Sequence, residues 1–448
     1  MTEVDVVVIG LGPGGEHTAI KLAEAGLEVV GIDSGLVGGE CPYYGCIPSK
    51  MMIRAANLLA EGRRIAGVAG DSSIEPSWAP VAARIREEAT DNWDDTAAVE
   101  RLQKAGARFV RGHGRLEGER TVVVGDQRFT ARRGVVLNTG TEPAVPPIAG
   151  LAGSPYWTNR EAVAVESLPA SLAVIGGGAI GLELAQAFSR FGVQVTVLEG
   201  ASRILAPEEP EVSALMTEVL RGEGVRVMAG ASIDRVSYAD GRFTVGEVTA
   251  DKLLVAAGRR TNLADVGLDS VGLDPDVKSL ETDERMRVQE GLWAVGDITG
   301  KGGFTHVSMY QAGIAVRDLL GKDGPPADYR AVPRVTFTDP EVGSVGMTEK
   351  QARDAGLDVR VGTADVPPSA RGWLHKTGNQ GLVKVVSDGE VLVGATSVGP
   401  MGGEVLSMLA TAIHARVPVN TLRSMIFAYP TFHRAVENAL KELEASRR

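Results

Sequence analysis

The sequence predicts an α/β protein made of two Rossmann-like, doubly wound units with parallel sheets, followed by a smaller α+β module. Two observations predict it. Near the start of the chain an apolar strand, a glycine-rich turn, a helix, a second strand and an acidic residue follow one another in that order, and the same series recurs about 165 residues later. Beyond Val332 the pattern changes to short strands and a helix without such glycines. A length of 448 residues allows roughly two to four domains, each with its own core.

Taken in order, residues 4–9 are an apolar strand and Gly10, Gly12, Gly14 and Gly15 follow it directly. Residues 17–25 read as an amphipathic helix, and residues 27–32 as a strand that ends at Asp33. Glycines in such a turn let backbone N–H groups approach a pyrophosphate at a helix start, and an acid about 20 residues on takes the ribose hydroxyls. Three glycines alone would be weak; the whole order is specific. In the second copy, strand 172–175 precedes Gly176, Gly178, Ile180 and Gly181, a helix runs through Arg190, and strand 194–198 ends at Glu199. Two units imply two dinucleotides, and the natural pair is a flavin (FAD) with a nicotinamide. Glu199 repels a 2′-phosphate, and Gly200 and Ala201 offer no cation to receive one, although Arg203 lies close; NADH is favoured over NADPH.

The only cysteines, Cys41 and Cys46, stand behind Gly38 and Gly39 with Pro42, Tyr43, Tyr44 and Gly45 between them. In a chain so poor in cysteine the pair reads as a redox-active dithiol, the alternative being two small buried apolar groups. A regular helix turns about 100° per residue, so five steps leave the sulfurs roughly 140° apart, too far for a disulfide. The backbone must therefore bend between them, and Pro42 and Gly45 are the residues suited to it. Residues 49–61 read as a helix, placing the pair at or inside its first turn, where positive potential favours a thiolate. No second Cys or His cluster has zinc-ligand spacing, so no metal is expected.

Abundant glycine, 56 residues, suits nucleotide-binding α/β units. The net charge of −11 argues against nucleic acid or an anionic membrane as the main partner. No apolar run reaches the length of a membrane span, and the acidic start leads straight into a strand without a signal peptide, so a cytoplasmic protein is expected. The first domain is expected to be split, residues 1–150 and 263–330, around the second at 151–262. Proline-rich stretches at 143–147 and at Pro325-Pro326 fit linkers. The third domain, 331–448, holds strands 335–337, 382–386 and 392–396 and helix 404–415.

In this order the chain resembles the class I flavoprotein disulfide reductases, which include dihydrolipoamide dehydrogenase, glutathione reductase and mercuric reductase. The resemblance runs from residue 4 to about residue 430. Beyond the Cys41-to-Lys50 segment it rests on Thr139-Gly140 with Pro143, on Ala257-Gly258-Arg259, on Ala294-Val295-Gly296-Asp297, and on Thr338-Asp339-Pro340-Glu341-Val342-Gly343. It implies FAD held by the first glycine turn with Asp33, Gly39, Lys50, Gly114, Thr139, Gly140 and Asp297, the last on the ribityl chain. It implies NADH on the second turn with Glu199 and Gly258. The resemblance further implies that hydride passes from NADH to the flavin, which opens a Cys41–Cys46 disulfide, that Cys46 lies against the flavin as the charge-transfer thiolate while Cys41 faces the acceptor, that Lys50 pairs with Glu183, and that residues 331–448 form a homodimer interface.

The family usually closes with His-Pro-Thr-x-x-Glu, whose His, from the partner subunit, moves protons for the outer sulfur. This chain reads Tyr429-Pro430-Thr431, with Arg434 in place of the Glu. A phenol with a pKa of about 10 donates a hydrogen bond but is a poor base. His433 lies four residues on and Glu437 four beyond it, so a helix would set the two together as a relocated dyad. Glu40 stands where Thr is common, Asp33 is shorter than the usual Glu, and Tyr43-Tyr44 widen the aromatic surface beside Cys41. Mercuric reductases also lack that His and place a Tyr nearby, but they add a C-terminal cysteine pair that this chain lacks. The reading is an NADH-dependent FAD oxidoreductase whose small-molecule acceptor is not lipoamide but a quinone, a metal ion or an unusual disulfide. One alternative is a true disulfide reductase working through His433; another is a flavin-bound redox sensor.

Overall fold

Runs of valine and isoleucine with no polar interruption belong in the middle of a parallel sheet, where both faces are covered. In the computed structural model, which describes residues 2–445, residues 6–9 of the strand Thr2–Ile9 take that place. It pairs in parallel with Val29–Asp33 on one side and Gln127–Leu137 on the other, Ile9 lying opposite Ile32 and Leu137. Leu292–Ala294 and Arg108–Arg111 extend the sheet in parallel, and Arg287–Gln289 with the hairpin Arg115–Leu116 and Thr121–Val124 completes eight strands. Because the strand ends are level, the first glycine turn, Asp33 and Asn138 share one edge. Helices Pro13–Glu24 and Thr305–Leu319 pack on one face through Ala19, Leu22, Ile314, Ala315 and Leu319. The first helix begins before the expected residue 17, with Pro13 in its first turn, where a missing N–H costs nothing.

The second series builds a four-stranded parallel sheet in the order Arg226–Ala229, Gln194–Glu199, Ser171–Ile175, Lys252–Val255. Helix Ala179–Arg190 follows its glycine turn, and a small antiparallel sheet of Val236–Ala239, Arg242–Val245 and Val248–Ala250 caps its core. The C-terminal region is a five-stranded antiparallel sheet ordered Pro333–Thr336, Glu341–Gly346, Leu392–Gly399, Leu382–Ser387, Arg360–Asp365. Helices Gly402–His414 and His433–Ala445 cover it through Val405, Leu406, Leu409, Val436 and Leu440.

Two of those strands were not read from the sequence because glycine weakens the strand pattern. The reason for the glycines is packing: a Cβ on Gly362 would stand 2.0 Å from the carbonyl of Ala439 in the last helix, and one on Gly343 3.0 Å from that of Gly402. The chain divides into two compact units, one of Met1–Pro48, Ala83–Ala144 and Arg259–Tyr329, the other of Ser49–Ala82, Val145–Gly258 and Arg330–Arg448. Among the described residues no helix is long and apolar enough to cross a membrane.

Candidate redox site and nucleotide cradles

The two glycine turns match down to their hydrogen bonds. Asp33 accepts the Leu11 N–H at 2.6 Å and the Gly35 N–H at 2.7 Å on its two oxygens. Glu199 accepts the Gly177 N–H at 2.6 Å and the Ala201 N–H at 2.7 Å in the same manner. Each acid ties the end of its strand to the turn, and each oxygen keeps a lone pair for a ribose hydroxyl. Burial pushes the Asp33 carboxyl above its ordinary range, and the two N–H bonds oppose that shift.

The glycines divide into two kinds. Gly10 and Gly176 have φ of +88° and +113°, and a Cβ on either would meet a carbonyl at 2.3 Å. On Gly15 and Gly181 it would meet the carbonyls of Gly10 and Gly176 at 2.0 and 2.1 Å, so these let the helix start against its strand, and Gly14 lies as tightly against Ser308. Gly12 and Gly178 cap the helices; a Cβ at Gly12 would stand 3.3 Å from Asn138 Oδ1, whereas nothing lies within 4 Å of one at Gly178. An open glycine at a helix start with free backbone donors fits a pyrophosphate. Exposed Ile180 sits beside that opening, and Gly258 borders open space as well. In the first unit Gly39 folds over Gly12, its Cβ position 2.9 Å from the Gly12 Cα, and Gly114 closes on Ile9 and Ile32 below. Asn138, missed in the sequence, accepts the Gly15 N–H at 2.7 Å and donates to the Val295 carbonyl at 2.8 Å. Thr139 donates to Asn262 O at 2.7 Å, and Gly140 follows with a positive φ.

The cysteines flank the expected break. A short helix, Glu40–Tyr43, ends at Tyr44, and the long helix Cys46–Arg63 starts at the second cysteine. The bend therefore falls at Tyr44 and Gly45, whereas Pro42 lies inside the short helix, and the expected start at residue 49 moves back to Cys46. A Cβ on Gly45 would come 3.2 Å from the Glu40 carbonyl and 3.6 Å from the Cys41 Cα, so the chain folds back on itself there. Cys41 is half-buried and Cys46 exposed. The Cys46 Sγ lies 3.5 Å from Thr305 Oγ1, at the start of helix Thr305–Leu319, whose positive end favours a thiolate.

Beside Cys41 runs a polar chain that sequence reasoning missed. Arg259 stands 3.4 Å from Glu40 and donates through Nε to Thr141 Oγ1 at 2.7 Å; that hydroxyl donates to Asp297 Oδ2 at 2.6 Å. The signal was Glu40 itself, since a carboxylate in place of a neutral residue calls for a cation.

Lys50 lies one turn beyond Cys46 on the same helix. Its Nζ donates to Glu183 Oε2 at 2.8 Å and rests 4.6 Å above the Phe337 ring. Glu183, on helix Ala179–Arg190, also accepts the Phe337 N–H at 2.8 Å, so its buried carboxylate is satisfied on both oxygens. At the far end of that helix buried Arg190 holds Glu223 at 2.6 Å and Asp339 at 2.8 Å, pinning it to the same strand end. Arg203 spends its guanidinium on the Leu205 and Ala206 carbonyls and the Ser213 hydroxyl.

Tyr429 is 72% exposed, with the Arg434 guanidinium 5.7 Å from its ring centre. His433 opens the last helix, but the expected His433–Glu437 dyad does not form. Glu437 is taken by Arg434 at 2.6 Å and Lys441 at 2.8 Å, because two full charges at helical spacing outcompete an imidazole. Trp373, Met425 and Ile426 are exposed as well.

Residues 4–312 match the family described as pyridine nucleotide-disulphide oxidoreductase, and residues 332–440 match its dimerisation domain. The chain is 34% identical over 443 residues to a mercuric reductase of Acidithiobacillus ferrooxidans, spanning 96% of this chain and 80% of that protein. It is 32% identical over 466 residues to a dihydrolipoyl dehydrogenase of Thermus scotoductus, spanning 99% and 98%. Among solved structures it is similar to the Cu(II) complex of the HOCl-induced flavoprotein disulfide reductase RclA from Escherichia coli, with a TM-score of 0.85, 27% identity and 100% of both chains covered.

Proposed function

The chain belongs to the pyridine nucleotide-disulphide oxidoreductases, flavoprotein enzymes that use FAD and a pyridine nucleotide, and on that premise we propose that it oxidises NADH and reduces a soft or redox-active metal ion through Cys41 and Cys46. The observation that carries this reading is the surface around Tyr429. By resemblance, an exposed phenol, Tyr429, takes the sequence position of the family's proton-moving His, and Glu437 is already committed to Arg434 and Lys441. A departing organic thiolate must be protonated; a metal ion that takes electrons from sulfur needs no such relay. That one relative is named a mercuric reductase, and one similar structure a Cu(II) complex, supports the same acceptor class.

FAD, when bound, supplies a two-electron acceptor for the nicotinamide's hydride. Gly10, Gly12, Gly14, Gly15, Asp33, Gly39, Gly114, Thr139, Gly140 and Asp297 would hold it, and Gly176, Gly178, Ile180, Gly181, Glu199 and Gly258 would hold the nicotinamide nucleotide. NADH is our choice over NADPH because Glu199 at the end of its strand would repel a 2′-phosphate and Arg203 is spent on its own loop. NADH, one proton and the Cys41–Cys46 disulfide give NAD⁺ and a dithiol. As the S–S bond re-forms, the dithiol releases its two protons to solvent and passes two electrons to one mercuric ion, giving Hg(0), or to two cupric ions, giving Cu(I). Lys50, fixed by Glu183, keeps a positive charge on the dithiol helix. We assign domains 1–150 with 263–330, 151–262 and 331–448, the last pairing two copies through exposed side chains that include Trp373, Ile426 and Tyr429.

An NADH-driven panel of mercuric ion, cupric ion, a soluble quinone, lipoamide and small disulfides, run on wild type and Cys41→Ala, tests the reading. Metal-ion reduction should exceed lipoamide reduction about tenfold or more and disappear in the variant. Lipoamide reduction without metal reduction would sink it, and a quinone rate that survives Cys41→Ala would move the exit away from the outer sulfur.

A further inference from the structure

The backbone just before helix Thr96–Lys104 is unusual. A π-helical turn, Ile85–Ala89, leads through Thr90 into Asp91, Asn92 and Trp93, whose φ values are 47°, 57° and 55°. Three successive side-chain-bearing residues in the left-handed region are rare; aspartate and asparagine tolerate it, and a bulky residue does not. Buried Thr90 braces the turn, donating to the Ile85 and Arg86 carbonyls at 3.1 Å and accepting the Trp93 N–H at 3.3 Å. Glycine at position 93 would relieve the backbone, so what tryptophan adds must lie in its side chain.

That side chain reaches the dithiol segment. The Trp93 indole N–H donates to the Tyr43 carbonyl at 3.2 Å. Tyr43 is the buried last residue of the short helix that carries Cys41, and its carbonyl is one of the acceptors a helix end leaves open. Two residues after Trp93, buried Asp95 accepts the Val37 N–H at 2.7 Å, just before the Gly38-Gly39 turn, and is held by Arg111 at 2.5 Å. The strained turn thus grips the chain on both sides of Cys41, at Val37 and at Tyr43. Strain of this kind persists only where surrounding contacts hold it, and π-helical turns recur at working sites.

We propose that Trp93 is a positioning residue for Cys41, its indole fixing the end of the short helix so that the half-buried outer sulfur keeps its place relative to Cys46. The inference rests on the reading that Cys41 is the sulfur facing the acceptor. In the NADH-reduced holoenzyme, Trp93→Phe keeps a ring and the backbone but loses the N–H. Mass-spectrometric mapping of iodoacetamide labelling should show Cys41 alkylated about three- to tenfold faster relative to Cys46, and kcat with the best acceptor should fall by a similar factor, as befits one lost hydrogen bond. KM for NADH should stay within about twofold, and the thermal midpoint should move little. A purely structural tryptophan would lower the midpoint and leave the Cys41:Cys46 labelling ratio unchanged; that result overturns the inference. Should Trp93→Phe not fold, a benzothienylalanine at position 93, with sulfur in place of the N–H, carries the same measurement. Cys41→Ser separates the two layers: if it keeps full turnover, the function reading and this inference fall together. If it abolishes turnover while the labelling ratio in the Trp93 variant matches wild type, the positioning inference alone falls.

Discussion

At the scale of single residues, the pairing of Lys50 with Glu183 shows how a surface-like pair acquires a definite geometry. The two are far apart in sequence, yet Nζ and Oε2 meet at 2.8 Å because Glu183 sits in a buried helix and takes its second bond from the Phe337 N–H. Lys50 itself is 36% exposed, so solvent screening keeps the pair's contribution to stability at about 1 kcal/mol or less. Its value is in orientation. Glu183→Gln keeps an oxygen for Phe337 and loses the charge; we expect a stability loss of about 1 kcal/mol or less and reduction by NADH slowed roughly tenfold, read by stopped-flow bleaching of the bound flavin. A rate equal to wild type would show that Glu183 serves packing alone. The family resemblance suggested this pair, but nothing in the sequence pointed to Asn138, Thr141 or Trp93. Their partners lie tens to hundreds of residues away, and each side chain is of a type that is usually solvated or buried without a task.

At the scale of elements, the glycine turns were readable because a strand-to-helix turn of the kind proposed to cradle a pyrophosphate needs glycine for two separate physical reasons. Some positions admit no Cβ because another backbone lies there, and others admit one freely but must stay open for the ligand. Gly181→Ala places a Cβ 2.1 Å from the Gly176 carbonyl and should destabilise the fold by about 1–3 kcal/mol in urea unfolding. Gly178→Ala meets nothing and should leave unfolding unchanged while weakening NADH binding about tenfold by calorimetry. Equal destabilisation by both would contradict the open cradle. The strands Glu341–Gly346 and Arg360–Asp365 were not readable, since their glycines answer to helices that pack against them rather than to the strand itself. The dithiol bend was anticipated from helix geometry, but its location at Tyr44 and Gly45 depended on the helices to either side.

At the scale of the whole molecule, the region that matches a dimerisation domain leaves large apolar side chains in water: Ile426 is 97% exposed and Trp373 73%. Exposure of this kind marks a surface that a partner covers. If two copies meet there, Ile426→Glu should shift the protein from dimer to monomer in light scattering and cut acceptor turnover, while NADH still reduces the bound flavin at the wild-type rate. A dimer that survives the substitution would place the interface elsewhere. The amino-acid sequence by itself determined the two glycine-turn units and the paired cysteines, because each depends on neighbours in the chain, on period and on residue type, and its resemblance to a family marked the histidine that Tyr429 replaces. Only the tertiary structure decided that Glu437 answers to Arg434 and Lys441, that Arg259 bridges Glu40 to Thr141, and that a left-handed turn carries Trp93 to Tyr43. Those outcomes turn on which groups meet after distant segments fold together, and on competition among charges and donors within hydrogen-bond reach, which local sequence does not encode.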